Sequence, residues 1–157
     1  GVNLEDGKGE HDLYLRKIEA AREAGERVGV QLFINARTDV YLKKLTAPEA
    51  ALEETLRRAE AIAEAGASGL FVPLARDIKV IAGAVKLPLN VMAVPGLPDA
   101  AALKEMGVRR LSAATATFNA AYAALSEATA HFLAAGDSDA RWKPRSEPLH
   151  YNGLFGR

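Results

Sequence analysis

The chain has 157 residues, 49% hydrophobic and 25% charged, and its twenty basic and twenty acidic residues cancel. That is enough chain for one domain with a real core, and the balanced charge argues against a nucleic-acid partner. The absence of cysteine excludes disulfides, thiolate metal sites and a cysteine nucleophile, while no apolar run reaches membrane-span length and no leader pattern stands at Gly1, so a cytoplasmic protein with no membrane partner is expected.

Val2–Asp6 reads as a short strand. A helix over Glu10–Ala24 follows, with Leu13, Tyr14, Ile18 and Ala21 on one face and Gly25 as its stop. Val30–Arg37 is a strong strand. Thr46, Pro48 and Glu49 form a capping-box pattern for the next helix, whose buried stripe is Leu52, Leu56, Ala59 and Ala63, ended by Gly66. Gly69–Pro73 is a strand, Asp77–Val85 a short helix, Leu87–Met92 a strand and Pro98–Met106 a short helix ended by Gly107. Val108–Ser112 is the fifth strand, and Ala114–Ala135 a long alanine-rich helix stopped by Gly136. The segment 137–157 carries Trp142, Pro144, Pro148, Tyr151 and Phe155 among polar residues. It is either a loose terminus or an arm that docks on a partner subunit.

Repeated β-α units imply a parallel sheet, since each return to a parallel strand needs a crossover. Polar side chains gather where these strands end: Glu5 and Asp6, then Asn35 to Asp39, then Asn90 and Ser112. In (β/α)8 barrels that end of the strands carries the active site. The expected fold is therefore α/β, a partial (β/α)8 TIM barrel over 1–136 with a tail over 137–157. A full barrel takes about 250 residues, so the missing units are expected before Gly1. A five-stranded doubly wound sheet, or an α/β binding module of another topology, is the alternative.

Five segments occur in an order that resembles the second half of the isocitrate lyase / phosphoenolpyruvate mutase superfamily. They are Asn3-Leu4-Glu5-Asp6, Asn35-Ala36-Arg37-Thr38-Asp39, the run from Ala65 to Pro73, Pro88-Leu89-Asn90-Val91-Met92, and Gly107-Val108-Arg109-Arg110-Leu111-Ser112. The resemblance implies a barrel, usually oligomeric, with its last helix exchanged between subunits. It implies Mg²⁺-dependent cleavage or rearrangement of C–C or P–C bonds beside an α-keto acid, through an enolate-type intermediate. It further implies that Glu5 belongs to the acidic surround of Mg²⁺, mostly through water, that Arg37 grips a substrate carboxylate or phosphonate, and that Asn90 lines the pocket near that anion. The family's Ser-Gly segment and Asp-x-Asp metal ligands have no counterpart in this chain. Where its lyases carry a cysteine-bearing loop, this chain has Gly7-Lys8-Gly9-Glu10-His11; the short-loop branch fits better than a cysteine-dependent lyase.

Strand alternation puts Asn35, Arg37 and Asp39 on one face at the strand exit. Arg37 could bind a carboxylate or phosphonate with two parallel hydrogen bonds, or form a salt bridge to Asp39 or Glu5. Glu5 and Asp6 point to opposite faces, so only one enters the mouth; the resemblance favours Glu5, which could instead orient Arg37. Asn35 joins the substrate-binding candidates, and Asn90 could orient an anion or be a satisfied amide. Ser112 reads as the N-cap of the last helix. His11 could move a proton or be a solvated loop side chain. Arg109 and Arg110 read as a surface and wall pair. The function expected is a Mg²⁺-dependent lyase or mutase, or a piece of one, with a small carboxylate or phosphonate as substrate and a homo-oligomer as its state. The alternative is a non-catalytic remnant that acts through association.

Overall fold

The computed structural model describes residues 1–136. Five strands, β1 (Val2–Glu5), β2 (Ile34–Arg37), β3 (Gly69–Val72), β4 (Leu89–Met92) and β5 (Val108–Ser112), form one parallel sheet in the order β1-β2-β3-β4-β5. Between them run α1 (His11–Arg27), α2 (Ala51–Glu64), α3 (Ile78–Ala84) and α4 (Ala100–Glu105). Strictly sequential order decides between the two expected architectures. A doubly wound sheet reverses direction at a switch point, whereas this one never does, so the sheet is wound as successive units of a barrel. The residues to Ala114 form one compact unit, and those from Thr115, including α5 (Ala116–Ala135), form another. The tail expected at 137–157 lies outside the described residues.

The two faces of the sheet follow from period-2 alternation. One face carries Ile34, Ala36, Leu70, Val72, Leu89, Val91 and Val108, which pack with Tyr14, Ile18, Ile62, Ile81 and Leu103 in a single buried cluster. The other face carries Asn3, Glu5, Asn35, Arg37, Phe71 and Asn90, in register. Apolar burial thus holds the helices to one side and leaves the polar strand ends for the other.

Several local expectations change. Gly25 does not stop α1, which runs on to Arg27. A Cβ on Gly25 would lie 2.8 Å from the Val30 carbonyl oxygen and 3.1 Å from Leu32 Cβ, so glycine is there for close approach, and Gly29 (φ +69°) makes the turn. Because Val30 N–H donates to Gly25, residues 30–33 wrap the helix end and β2 begins only at Ile34. The capping box at Thr46 does not form: Thr46 donates to Ala47, Pro48–Ala50 make a 3-10 turn, and α2 starts at Ala51. The stripe of α2 is accordingly shifted, and Ala51, Thr55, Ala59 and Ile62 are the buried residues. Asp99 does cap α4, accepting from Ala102 N–H at 2.9 Å. Among the described residues no helix is long and apolar enough to cross a membrane.

Candidate anion-binding site at the strand ends

The pairing of β1 with β2 sets Glu5 opposite Arg37, and the two side chains meet: Arg37 Nη2 lies 2.5 Å from a Glu5 carboxylate oxygen. The chain then curls so that Asp39, whose side chain is fully buried, accepts from Arg37 Nε at 2.8 Å and Nη2 at 3.0 Å. Lys43 Nζ stands 3.3 Å from the same carboxylate. Both of the salt bridges weighed against a binding role for Arg37 are therefore present together. Burial by itself would lower the Arg37 pKa, but the Asp39 hydrogen bonds and the charges of Asp39, Glu5 and Asp6 outweigh it and raise it, so Arg37 is a fixed cation. Of its five N–H groups, those of Nε and Nη2 are turned to Asp39 and Glu5, and Nη1 has no acceptor among the described residues. One edge of an oriented guanidinium stays open.

The register continues across the sheet: Arg37 opposes Phe71, Phe71 opposes Asn90, and Asn90 opposes Arg110. Asn90 is 1% exposed; its Oδ1 accepts from Ser112 Oγ at 3.1 Å, while Nδ2 has no partner. Ser112 is thus a partner of Asn90 at the strand end and not an N-cap, a position held by Thr115. One layer deeper, Asn35 Nδ2 donates to Asn3 Oδ1 at 2.8 Å. Arg37, Glu5 and Asn90 are thus the candidates at the mouth, with Asn35 one layer below them.

Behind the sheet, on the helix side, lies a second polar cluster that the sequence did not announce. Asp6 is fully buried and accepts from Thr38 Oγ1 at 2.7 Å, Asp39 N–H at 2.8 Å and Arg58 Nη1 at 2.8 Å. Arg58 also donates to Glu54 at 2.6 Å. The Tyr14 hydroxyl lies 3.1 Å from both the Leu4 and Arg37 carbonyl oxygens, and burial pushes its pKa well up. Asp6 therefore fixes the backbone of Asp39, and Asp39 fixes Arg37.

His11 belongs with this second cluster. It is the first residue of α1 and not a loop residue, it stands beside Tyr14 with ring centroids 6.2 Å apart, and neither ring nitrogen has a hydrogen-bond partner. Burial, then the charges of Arg58 and Arg57, lower its pKa below 6.5, against smaller opposing contributions from Asp6 and Glu54. The fold thus favours neutral His11. A depressed pKa means that this contribution to stability is complete above pH 6.5 and is lost as the pH falls from there toward the folded value. Replacing His11 with Gln is expected to flatten the loss of melting temperature between pH 7 and 5; an unchanged slope would rule this linkage out.

A cleft of about 790 Å³ lies beside this ionic site, between the loops that follow β2, β3 and β4. Its walls include Val40, Leu74, Ile78, Val94 and Leu97, and Lys44 (φ 51°) and Leu74 (φ 58°) hold left-handed backbone there. Arg37, Glu5 and Asn90 do not line it. The oriented cation and the buried amide without a partner among the described residues lie instead at the strand ends. The residues present do not form a self-contained Mg²⁺ site: among the described residues no three Asp, Glu, His or Cys side chains cluster. Glu5 offers one carboxylate, and it is paired with Arg37.

A family model described as phosphoenolpyruvate phosphomutase matches residues 1–133. An uncharacterized protein of Mycobacterium tuberculosis H37Rv, Rv1998c, is 34% identical over 156 residues, covering 94% of this chain and 55% of its own. The crystal structure of a Burkholderia cenocepacia J2315 protein with a provisional phosphonomutase assignment superposes with a TM-score of 0.74 at 44% identity, over 82% of this chain and 56% of that one. That of 2,3-dimethylmalate lyase, a PEP mutase/isocitrate lyase superfamily member, superposes with a TM-score of 0.76 at 26% identity, over 98% of this chain and 53% of that one. The chain therefore spans about half the length of these relatives.

Proposed function

Because this chain belongs to the phosphoenolpyruvate phosphomutase family, we propose that the complete protein is a lyase or mutase acting on a small α-keto or hydroxy carboxylate, or on a phosphonate. The reaction makes or breaks a C–C or P–C bond beside a carbonyl. The electron pair of the broken bond is held as an enolate and then taken up by a proton or a new electrophile. The observation that carries the reading is the Arg37 guanidinium, oriented by the buried Asp39 and by Glu5, with Nη1 free among the described residues. Its two N–H groups can donate charge-assisted hydrogen bonds to oxygens of a carboxylate or phosphonate, and a prearranged cation does not need to reorganise as charge develops.

In this reading Arg37 holds the anionic end of the substrate, and Glu5 limits the guanidinium to one open edge. Asn90 supplies the amide that still lacks a partner. A bound Mg²⁺ would stabilise the enolate oxygen; among the described residues no group of carboxylates or histidines could hold it.

The test is an assay of full-length protein with Mg²⁺ for release of pyruvate, glyoxylate or oxalate from dicarboxylates, and for turnover of phosphonopyruvate. Turnover that vanishes with Arg37→Ala is the expected outcome. Neither turnover nor saturable binding of any such anion would overturn the reading.

A second reading is association without catalysis. Among the described residues α5 exposes Phe118, Tyr122, Leu125 and Leu133; apolar faces favour assembly. The same surfaces suit an oligomeric enzyme, so assembly with no anion affinity is the result that would favour the second reading.

A further inference from the structure

We infer that Arg110 is a second anion-binding residue, gripping the far end of a substrate whose near end lies on Arg37. The inference rests on the proposed role of Arg37 and narrows it to dianions, either a dicarboxylate or a carboxylate with a phosphonate at its other end.

The first observation is a register shift. Leu89 opposes Val108, but the next residue, Asn90, opposes Arg110 and not Arg109. A regular ladder would have set Arg109 opposite Asn90 and turned Arg110 to the helix side with Val91. The extra residue in β5 moves Arg110 to the same face as Asn90, Phe71, Arg37 and Glu5. Bulges re-aim side chains in this way and are frequent beside active sites.

The second observation is the Asn90 amide. It is buried, its oxygen is taken by Ser112, and its Nδ2 has no acceptor. Buried polar groups almost always find partners, so a donor left open beside Arg110 marks a place for an acceptor that the described residues do not provide. The third is charge. Arg37 and Arg58 are tied to carboxylates, whereas Arg110 is exposed and has no ion pair among the described residues. The one carboxylate in the row, Glu5, sits at the opposite end on Arg37.

An edge strand also uses cations simply to discourage pairing with other chains. Arg109 can serve that purpose without a bulge, so a solubility role gives no reason for the register shift. The geometry sets a length as well. β2 and β5 are three strand spacings apart, roughly 14 Å in a flat sheet and less in a curved one. Two arginine side chains reaching inward leave a gap suited to a chain of about four or five atoms with an anion at each end.

The experiment is calorimetric titration of the full-length protein with succinate, a dianion, and butyrate, a monoanion of the same carbon count. Wild type should bind succinate at least tenfold more tightly than butyrate. Arg110→Ala should remove that preference while leaving butyrate affinity within twofold, Arg110→Lys should retain part of it, and Arg109→Ala should change neither. Arg37→Ala should weaken both ligands. An Arg110→Ala protein that keeps the preference, or loses both ligands equally, overturns the inference, and so does a wild type without the preference. If Arg37→Ala leaves both affinities intact, the reading of Arg37 itself fails, whatever Arg110 does.

Discussion

Arg37→Ala is expected to remove measurable anion binding and turnover from the full-length protein and, separately, to destabilise it. The binding loss follows from truncating one partner of a charge-assisted, hydrogen-bonded pair, which removes about 2–5 kcal/mol or roughly a hundredfold or more in affinity. The stability loss has a different origin. Asp39 is fully buried, and without Arg37 its only ion-pair partner among the described residues is Lys43 at 3.3 Å. Leaving a buried carboxylate poorly paired costs about 3 kcal/mol. The two effects can be separated. In the Arg37→Ala/Asp39→Ala protein the orphaned charge is gone, so most of the melting temperature should return while anion binding stays lost. Arg37→Lys keeps the charge but not the planar fork, so it should recover stability better than affinity. A single alanine variant that melts like wild type would show that the ion pair is not a net stabiliser. One that binds anions normally would remove Arg37 from the site.

Asp6→Ala should be the most destabilising single change in the described part of the chain. One buried carboxylate accepts from Thr38, Asp39 and Arg58 at 2.7–2.8 Å. Its removal leaves the Arg58 guanidinium, whose side chain is 13% exposed, with Glu54 alone, and leaves a buried hydroxyl and a buried backbone N–H without their acceptor. Such losses sum to about 3–5 kcal/mol, or a fall in melting temperature of roughly 10 °C for a protein of this size or somewhat larger. Anion affinity should fall as well, although Asp6 points away from the mouth, because Asp39 N–H is anchored on Asp6 and Asp39 orients Arg37. Replacing Asp6 and Arg58 together with leucine should recover stability relative to Asp6→Ala. Thermal melts and succinate titration on the same samples test both parts: an Asp6→Ala protein that unfolds within a degree or two of wild type would refute the assigned role.

The parts of the fold that were legible in the sequence are those governed by neighbours in the chain. Alternating apolar strands and helical stripes gave five β-α units, and Gly136, at φ +62° after α5, ends that helix as expected. Where local signals competed with packing, packing prevailed. Gly25 has the composition of a helix stop, but its position in the finished unit demands a missing side chain. The Thr46 box was complete on paper, yet the loop from Thr38 to Ala47 is held by buried Asp39 and Val40, and the helix begins five residues later.

The candidate site divides in the same way. Arg37 and Asn90 could be picked out because they end apolar strands, and period-2 alternation, a local property, lets only one of Glu5 and Asp6 face the mouth; the family resemblance chose Glu5. That one chain carries repeated β-α units of a parallel sheet, with an arginine at a strand exit, the sequence by itself determined. Only the tertiary structure decided that the strands follow one another in barrel order, that Asp6, held by Arg58 52 residues away, anchors that arginine's support, that His11 lies with the helices, and that a bulge sets Arg110 opposite Asn90. Those facts depend on register and on contacts between distant segments. Both are set by the joint packing of all the elements, which no short window of sequence contains.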